Sequence, residues 1–258
     1  MTISIEQITS WLGAFLWPFF RVAALFSVAP VFSAQTTSVR VRLGLAIVIT
    51  LAVVPVLPAP PAVSPLSADG LLIIFQQLLI GLAMGIALRI VFEAMANGGQ
   101  VIGMLMGLGF ASMNDPQHGV SVPMLSHFFT LFSTLLFLAL NGHLVLLSVL
   151  IDSFKTMPVG PDGVTLNSLW DLVAWATWMF SGAVLIALPA TAAMLVVHIA
   201  FGVMSRAAPQ LNIFVVGFPI TLLIGFLVMA VSLPGILPQL TTMLDDAFAL
   251  TRSIAAGG

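Results

Sequence analysis

Hydrophobic residues are concentrated in six long segments, separated by short stretches that hold most of the polar and turn-forming residues. The segments cover roughly residues 11–34, 42–59, 71–96, 126–151, 172–203 and 211–237. Each approaches or exceeds the ~20 residues that a helix needs to cross the hydrocarbon of a bilayer. The pattern therefore predicts an all-α fold built from membrane-type helices.

Proline and glycine are expected to interrupt this pattern. Pro189, Pro219 and Pro234 lie inside apolar segments, where a missing backbone donor favours a kink. Residues 152–171 contain several prolines and glycines and are expected to form an exposed loop. Residues 241–258 are expected to form a short tail that is amphipathic around residues 243–250.

Composition assigns the chain to the membrane. Of its 258 residues, 60% are hydrophobic and 6% are charged, which a water-exposed surface does not tolerate. The absence of cysteine excludes disulfides and thiolate chemistry, and a net charge of −2 gives no electrostatic case for nucleic acid. The amino terminus lacks a basic region, so we expect the first helix to be retained rather than cleaved as a signal peptide.

The few basic residues give a topology prediction. Arg40, Arg42 and Arg206 lie in the first and fifth connections, and Lys155 lies in the fourth. The positive-inside rule then places the odd-numbered connections in the cytoplasm and both termini outside.

Residues 98–123, GGQVIGMLMGLGFASMNDPQHGVSVP, are apolar but do not have the pattern of a plain membrane helix. Gly99, Gly103 and Gly107 form a small-residue stripe that lets another helix approach closely. After Gly107, further glycines and Asn114-Asp115-Pro116 free the backbone to turn. Met104, Met106 and Met113 are deformable apolar side chains. These features suggest either a mobile apolar gate or a connecting loop that merely packs.

The sequence contains little that indicates a catalytic site or a metal site. His118, His127, His143 and His198 have no metal-ligand spacing, and no catalytic motif occurs in a plausible context. His143 is expected to cap a helix end or to pack at an interface. The chain is therefore predicted not to be an enzyme and to need no metal or cofactor.

Arg21 lies about mid-segment, where an unpaired charge costs at least ~3 kcal/mol. It should face protein or water. It either contacts a pore or another subunit, or forms a salt bridge with an acid.

Two non-enzymatic classes remain. One is a conduit or gate subunit of a larger assembly, and the other is a secondary transporter coupled to protons or solutes. Transporters usually show internal repeats and polar groups that converge at the midplane, and neither feature is clear here. The conduit is therefore favoured.

Several motifs resemble those of the FliR family of the flagellar type III export gate. The most specific is MSRAAPQLNIF at residues 204–214, followed by Val216-Gly217-Phe218-Pro219-Ile220-Thr221. Shorter matches are APVFS with VRVRL at residues 29–43, GLGFA with Asp115-Pro116 and Gly119, and Gly142-His143 with Ser153-Phe154. The injectisome branch of the family typically has lysine at the position of Thr221, which favours the flagellar branch.

The resemblance implies a protein that resembles fused P-type and Q-type export-gate subunits, in a single domain over residues 1–258. It implies assembly with FliP-type and FliQ-type subunits, contact with FlhB-type and FlhA-type export components, and passage of unfolded flagellar proteins. The location would be the bacterial inner membrane at the flagellar basal body. Much of the apolar helix surface would be covered by neighbouring subunits, so six apolar segments need not be six spans.

The resemblance also assigns residues. Residues 107–123 correspond to the family's plug loop, with Gly107, Gly109, Phe110, Met113, Asp115, Pro116 and Gly119 as its candidate members. Subunit packing is expected at Gly99, Gly103, Arg206, Pro209, Gln210, Asn212 and Pro219.

Overall fold

The computed structural model describes residues 5–34, 37–58, 61, 63–65, 67–108, 124–161, 163–210 and 213–256, and the backbone alone of residues 5–10 and 213–215. Helices account for most of this part of the chain, and it contains no strand. The predicted all-α fold is therefore confirmed. The helices are α1 (Ile5–Val28), α2 (Val39–Val53), α3 (Ala68–Leu105), α4 (Met124–Ala139), α5 (Gly142–Thr156), α6 (Leu166–Trp175), α7 (Thr177–Ala207) and α8 (Ile213–Ala255), with a 3-10 turn at Val54–Val56.

Five stretches of the described helices are long and apolar enough to cross a membrane. They are Trp11–Val28, Val39–Val56, Ala68–Leu105, Leu166–Ala207 and Val216–Ala255. The bent pair α4 and α5 makes a sixth if it is counted as one span. Length and composition thus agree with an integral membrane protein.

The fourth apolar segment forms two helices rather than one. α4 ends at Ala139 and α5 begins at Gly142. Between them Asn141 takes a left-handed conformation with φ 57°, which asparagine adopts more readily than most residues. The carbonyl of Asn141 accepts from the N–H groups of Leu144 and Val145 at 2.9 and 3.1 Å. Asn141, and not His143, therefore occupies the cap position of α5.

Two stretches predicted to be irregular are mostly helical. α5 continues to Thr156 and α6 begins at Leu166, so the connection shrinks to residues 157–165. α8 continues through Pro219, Pro234 and Pro238 to Ala255, so the predicted tail is the end of the last helix. Its amphipathic character is confirmed, because Leu244, Ala247 and Phe248 are buried whereas Asp245 and Asp246 are exposed.

The chain divides into two compact units. Unit 1 comprises Met1–Ile90, Phe137–Ala176 and Leu244–Gly258, and unit 2 comprises Val91–Leu136 and Thr177–Met243. The single export-gate domain that the resemblance implies stays a prediction.

Close helix contacts hold unit 1 together. A Cβ atom at Gly85 of α3 would lie 3.1 Å from the carbonyl oxygen of Leu25, and one at Gly81 would overlap with the backbone of Arg21. α1 therefore packs directly on the glycines of α3. A second cluster joins Ala83 and Ala87 of α3 to Leu172 of α6 and Ile254 of α8. Nε1 of Trp175 donates to the carbonyl of Ala87 at 3.0 Å.

The motif at residues 29–43 closes the turn between α1 and α2. Val31 has φ 71°, which is unfavourable for a β-branched residue and needs support from its surroundings. That support comes from Phe32, whose ring stacks on Phe26 with centroids 4.4 Å apart. Nε of Arg42 also donates to the carbonyl of Phe32 at 3.1 Å. Arg42 therefore fixes a turn within the chain.

Unit 2 is also assembled through small residues. A Cβ atom at Gly98 of α3 would lie 2.9 Å from Cγ2 of Ile186 on α7. One at Gly182 of α7 would lie 2.6 Å from Cε of Met243 on α8. α7 therefore approaches α3 closely at Gly98, and the end of the Met243 side chain lies against Gly182.

Candidate functional site

α3 ends in a defined cap immediately before the predicted plug. Gly107 has φ 83°, its N–H donates to the carbonyl of Met104, and the N–H of Leu108 donates to the carbonyl of Gly103, both at 3.0 Å. This is the Schellman arrangement, in which a left-handed glycine ends the helix and satisfies its last carbonyls. Gly107 therefore supplies a fixed helix end, whereas the sequence suggested backbone freedom at this position.

The end of α3 is fastened to α8. Met106 is fully buried, and its side chain fills the space above Gly225, where a Cβ atom would lie 2.8 Å from both Sδ and Cε. One turn earlier on α8, Oγ1 of Thr221 donates to the carbonyl of Met106 at 3.3 Å. Burying a methionine side chain stabilises by about 1.5–3 kcal/mol. Met106 is thus an anchor within the chain, whereas its neighbour Met104 is 58% exposed.

The two helices that flank residues 109–123, α3 and α4, pack directly on each other. A Cβ atom at Gly99 would lie 2.6 Å from Cδ2 of Phe129 and 2.7 Å from the carbonyl oxygen of Leu125, both on α4. Oγ of Ser126 donates to the carbonyl of Ala96 at 2.8 Å. We call the paired ends of α3 and α4, residues 96–108 and 124–129, the stem.

The predicted plug residues lie mostly beyond the stem. Gly107 belongs to the cap of α3. The other six fall outside the described residues: Gly109, Phe110, Met113, Asp115, Pro116 and Gly119.

The predicted packing residues fall into two groups. Gly99 and Gly103 are buried within the chain and face α4. Arg206, Pro209 and Gln210 are exposed at the turn between α7 and α8, and Pro219 is exposed on α8, while Asn212 lies outside the described residues. Contact of any of them with another subunit stays a prediction.

Arg21 has neutral partners in unit 1. Its Nε donates to Oε1 of Gln77 at 2.8 Å, its Nη1 to the carbonyl and hydroxyl of Ser153, and its Nη2 to the carbonyl of Met157. None of these groups is an acid. Both alternatives predicted from the sequence, a salt bridge and a contact with a pore or another subunit, are therefore wrong. Arg21 instead belongs to a buried hydrogen-bond network within the chain.

Long apolar faces of three helices are not covered by the chain itself. Buried residues make up 17% of the 18-residue candidate span on α2. In an apolar stretch of 18 residues they make up 22% on the span of α6 and α7, 17% on α8 and 50% on α3. Large exposed apolar side chains follow all three faces. They include Val41, Val48 and Leu51 on α2, Val184, Leu188, Val196 and Val203 on α7, and Leu223, Leu227 and Val231 on α8.

Sequence reasoning missed the partners of two sites. Thr221 and Gly225 stand one helical turn apart, which marks one face of α8, but spacing does not reveal that this face receives Met106. Gln77 is a polar residue inside an apolar segment, which is a signal that could have singled it out, whereas Ser153 fell in the stretch predicted to be an exposed loop. Within the described residues, no group of three or more histidine, aspartate or glutamate side chains could hold a metal ion.

Comparisons with known proteins show the family to which this chain belongs. The model of the family described as bacterial export proteins, family 1, matches residues 12–247. The chain is 39% identical over 254 residues to the flagellar biosynthetic protein FliR of Escherichia coli strain K12, covering 98% of this chain and 97% of that protein. It is 36% identical over 255 residues to FliR of Pectobacterium carotovorum, with the same coverage, and 27% identical over 250 residues to FliR of Bacillus subtilis, covering 96% and 95%. The chain therefore belongs to the FliR family of flagellar biosynthetic proteins, among the bacterial export proteins.

Proposed function

We propose that this chain is a subunit of the type III export gate that conducts unfolded flagellar proteins through the bacterial inner membrane at the flagellar basal body. It forms the channel together with FliP-type and FliQ-type subunits and performs no catalysis. FlhB-type and FlhA-type components contact the gate, and other components supply the energy. Membership of the FliR family supports this assignment.

The observation that carries the proposal is the uncovered apolar surface on helices longer than a bilayer. α8 has 43 residues and α7 has 31, which at 1.5 Å per residue correspond to about 65 and 46 Å. The hydrocarbon core is about 30 Å thick. Lipid therefore does not cover the full length of these helices, and neighbouring protein subunits are the fitting partners for the rest.

Residues 107–123 act as the plug of the closed channel. The stem supports this role because its two sides are fastened within the chain, so residues 109–123 are not needed to hold α3 and α4 together. The segment 107–123 contains one acid, Asp115, and no lysine or arginine. Closure therefore rests on apolar packing by residues such as Phe110 and Met113 rather than on an electrostatic lock.

Co-purification tests the assignment. We expect a tagged copy in its native membrane to be recovered in a large complex that contains FliP-type and FliQ-type subunits. Expressed without those partners, the same chain should aggregate or be degraded, because its apolar faces remain uncovered. Recovery of a monodisperse folded monomer, or of a small homo-oligomer that transports a solute, would instead support a secondary transporter.

A further inference from the structure

Arg21 of α1 is a buried cation in a segment of membrane type. It has no exposed surface, and its guanidinium lies over the ring of Phe154 with Cζ 4.2 Å from the ring centroid. An uncompensated charge in such surroundings is strongly unfavourable. The surrounding groups must therefore stabilise the charge.

Four hydrogen bonds provide this stabilisation, and three of them converge on the end of one helix. Nη1 donates to the carbonyl of Ser153 at 2.9 Å and to its hydroxyl at 3.0 Å, and Nη2 donates to the carbonyl of Met157 at 2.9 Å. Ser153 lies in the last turn of α5 and Met157 is its C-cap residue. The fourth bond, from Nε to Oε1 of Gln77 at 2.8 Å, ties the same guanidinium to α3.

The carboxyl end of a helix is a favourable place for a cation. Its last carbonyls lack partners within the helix, and the aligned peptide dipoles place a partial negative charge there. Arg21 donates to two carbonyls at this helix end, and both compensate its charge. The carbonyl of Ser153 also accepts from the N–H of Met157 at 2.9 Å, so Arg21 is its second donor.

The end of α5 in turn contacts the end of α8. Oγ1 of Thr156 donates to the carbonyl of Ala255 at 2.6 Å. The last turn of α5 therefore joins Arg21 on one side to the carboxyl end of α8 on the other.

We propose that Arg21 is the positioning residue of unit 1, and that its guanidinium fixes the carboxyl end of α5 against α1 and α3. The role depends on the forked shape of the group as well as on its charge. Lysine carries the same charge on a single ammonium with three donors, which does not reproduce the spread of the fork from Gln77 to Met157. Glycines at positions 81 and 85 keep α1 against α3, so the base of the Arg21 side chain is fixed without it.

Cysteine labelling in the assembled complex tests this role, because the chain has no cysteine of its own. Met157→Cys reports on the end of α5, and Met194→Cys reports on a buried site in unit 2. With Arg21 present, both thiols should react slowly with maleimide. In Arg21→Lys and Arg21→Met, labelling at position 157 should rise about tenfold, because loss of a hydrogen bond to a charged group shifts a local opening equilibrium by at least that factor. Labelling at position 194 should not change.

The matched control is Arg252→Lys, since Arg252 is an exposed arginine near the carboxyl end of α8 in the same unit; it should leave both reporters protected. Ser153→Ala and Gln77→Leu retain Arg21 but each remove one acceptor, and they should give smaller rises at position 157. Protection of position 157 in Arg21→Lys would overturn the requirement for the fork. Equal exposure of both reporters in the Arg21 variants would overturn the positioning role, and so would unchanged labelling in both acceptor variants.

Discussion

Single glycine positions decide how closely the helices of this chain approach one another. Gly225 receives Met106, Gly99 receives Phe129, and Gly107 ends α3 in a left-handed conformation. In a membrane, apolar surface alone gives little drive for helices to associate, so close packing has to supply it. Substitutions at such glycines should therefore act through steric overlap rather than through lost hydrophobic contact.

Gly225→Leu should loosen the end of α3. The new side chain must displace Met106, and overpacking of this kind costs about 1–3 kcal/mol. We expect a lower melting temperature of the purified complex. The matched control is the double variant Gly225→Leu with Met106→Ala, in which the space left by the Met106 side chain receives the leucine, so its melting temperature should be higher than that of Gly225→Leu alone. Equal melting temperatures for both variants would show that Met106 is not anchored at Gly225.

Arg206→Glu should lower the yield of assembled complex without changing which substrates are exported. Arg206 is exposed in the last turn of α7, where a cation stabilises its own helix by only about 0.3–1 kcal/mol. A large effect therefore reports a contact with another subunit. Arg206→Lys keeps the charge but not the forked guanidinium, so its yield of assembled complex should lie between those of wild type and Arg206→Glu. Normal assembly with altered substrate choice would contradict this role.

At the scale of elements, the stem predicts that two neighbouring glycines behave differently. Gly99→Ala should separate α3 from α4, because its Cβ would lie 2.7 Å from the backbone carbonyl of Leu125, which cannot rotate away. Gly103→Ala is its control one turn later, where a Cβ would lie 3.7 Å from the side chain of Leu125, an ordinary contact. Alanine also favours helix over glycine by about 1 kcal/mol. Thermal unfolding of the complex should show a lower melting temperature for Gly99→Ala and an equal or higher one for Gly103→Ala.

The opposite order would show that Gly103 packs on a neighbouring subunit and Gly99 does not. That outcome would support the prediction that the glycine stripe packs against another subunit.

The helices themselves were predictable because long apolar segments leave few alternatives in a membrane. Their ends were less so. The break at Asn141 lies inside an apolar run, and only its left-handed conformation separates α4 from α5. Pro219 and Pro234 were expected to favour kinks. α8 nevertheless continues as helix through both, and through Pro238 as well, because a membrane helix tolerates the loss of one backbone bond where its surroundings compensate.

The sequence singled out glycines at the end of α3 but not the residues that they contact. Of the predicted stripe, Gly99 lies against α4 of the same chain, Gly103 makes only an ordinary contact there, and Gly107 caps α3. The partners of Arg21 lie 56 and 132 or more residues away in sequence. Local patterns carry no information about such pairs, so neither expected alternative, a salt bridge or a contact with a pore or another subunit, identified these partners.

Across the whole molecule, one helix buries half of its residues within the chain, whereas others leave long apolar faces uncovered. α3 is half buried within the chain, whereas α2, α7 and α8 leave most of their apolar residues uncovered. The proposed role as a subunit of a mixed export complex would account for this contrast, because such a subunit completes its interior with its own fold and its exterior with its neighbours.

If residues 107–123 close the resting channel, as proposed, removing most of them should let small ions leak through the assembled complex. Deleting residues 109–119 retains the cap at Gly107 and the whole of α4, so the complex should still assemble with FliP-type and FliQ-type subunits. Two vesicle preparations, one with wild-type complex and one with an equal amount of deletion complex, are compared for their conductance of small ions. We predict that the deletion complex leaks and the wild-type complex does not, while export of flagellar proteins continues at least in part. If the assembled deletion complex leaks no more ions than wild type, residues 107–123 do not close the channel and only connect two helices.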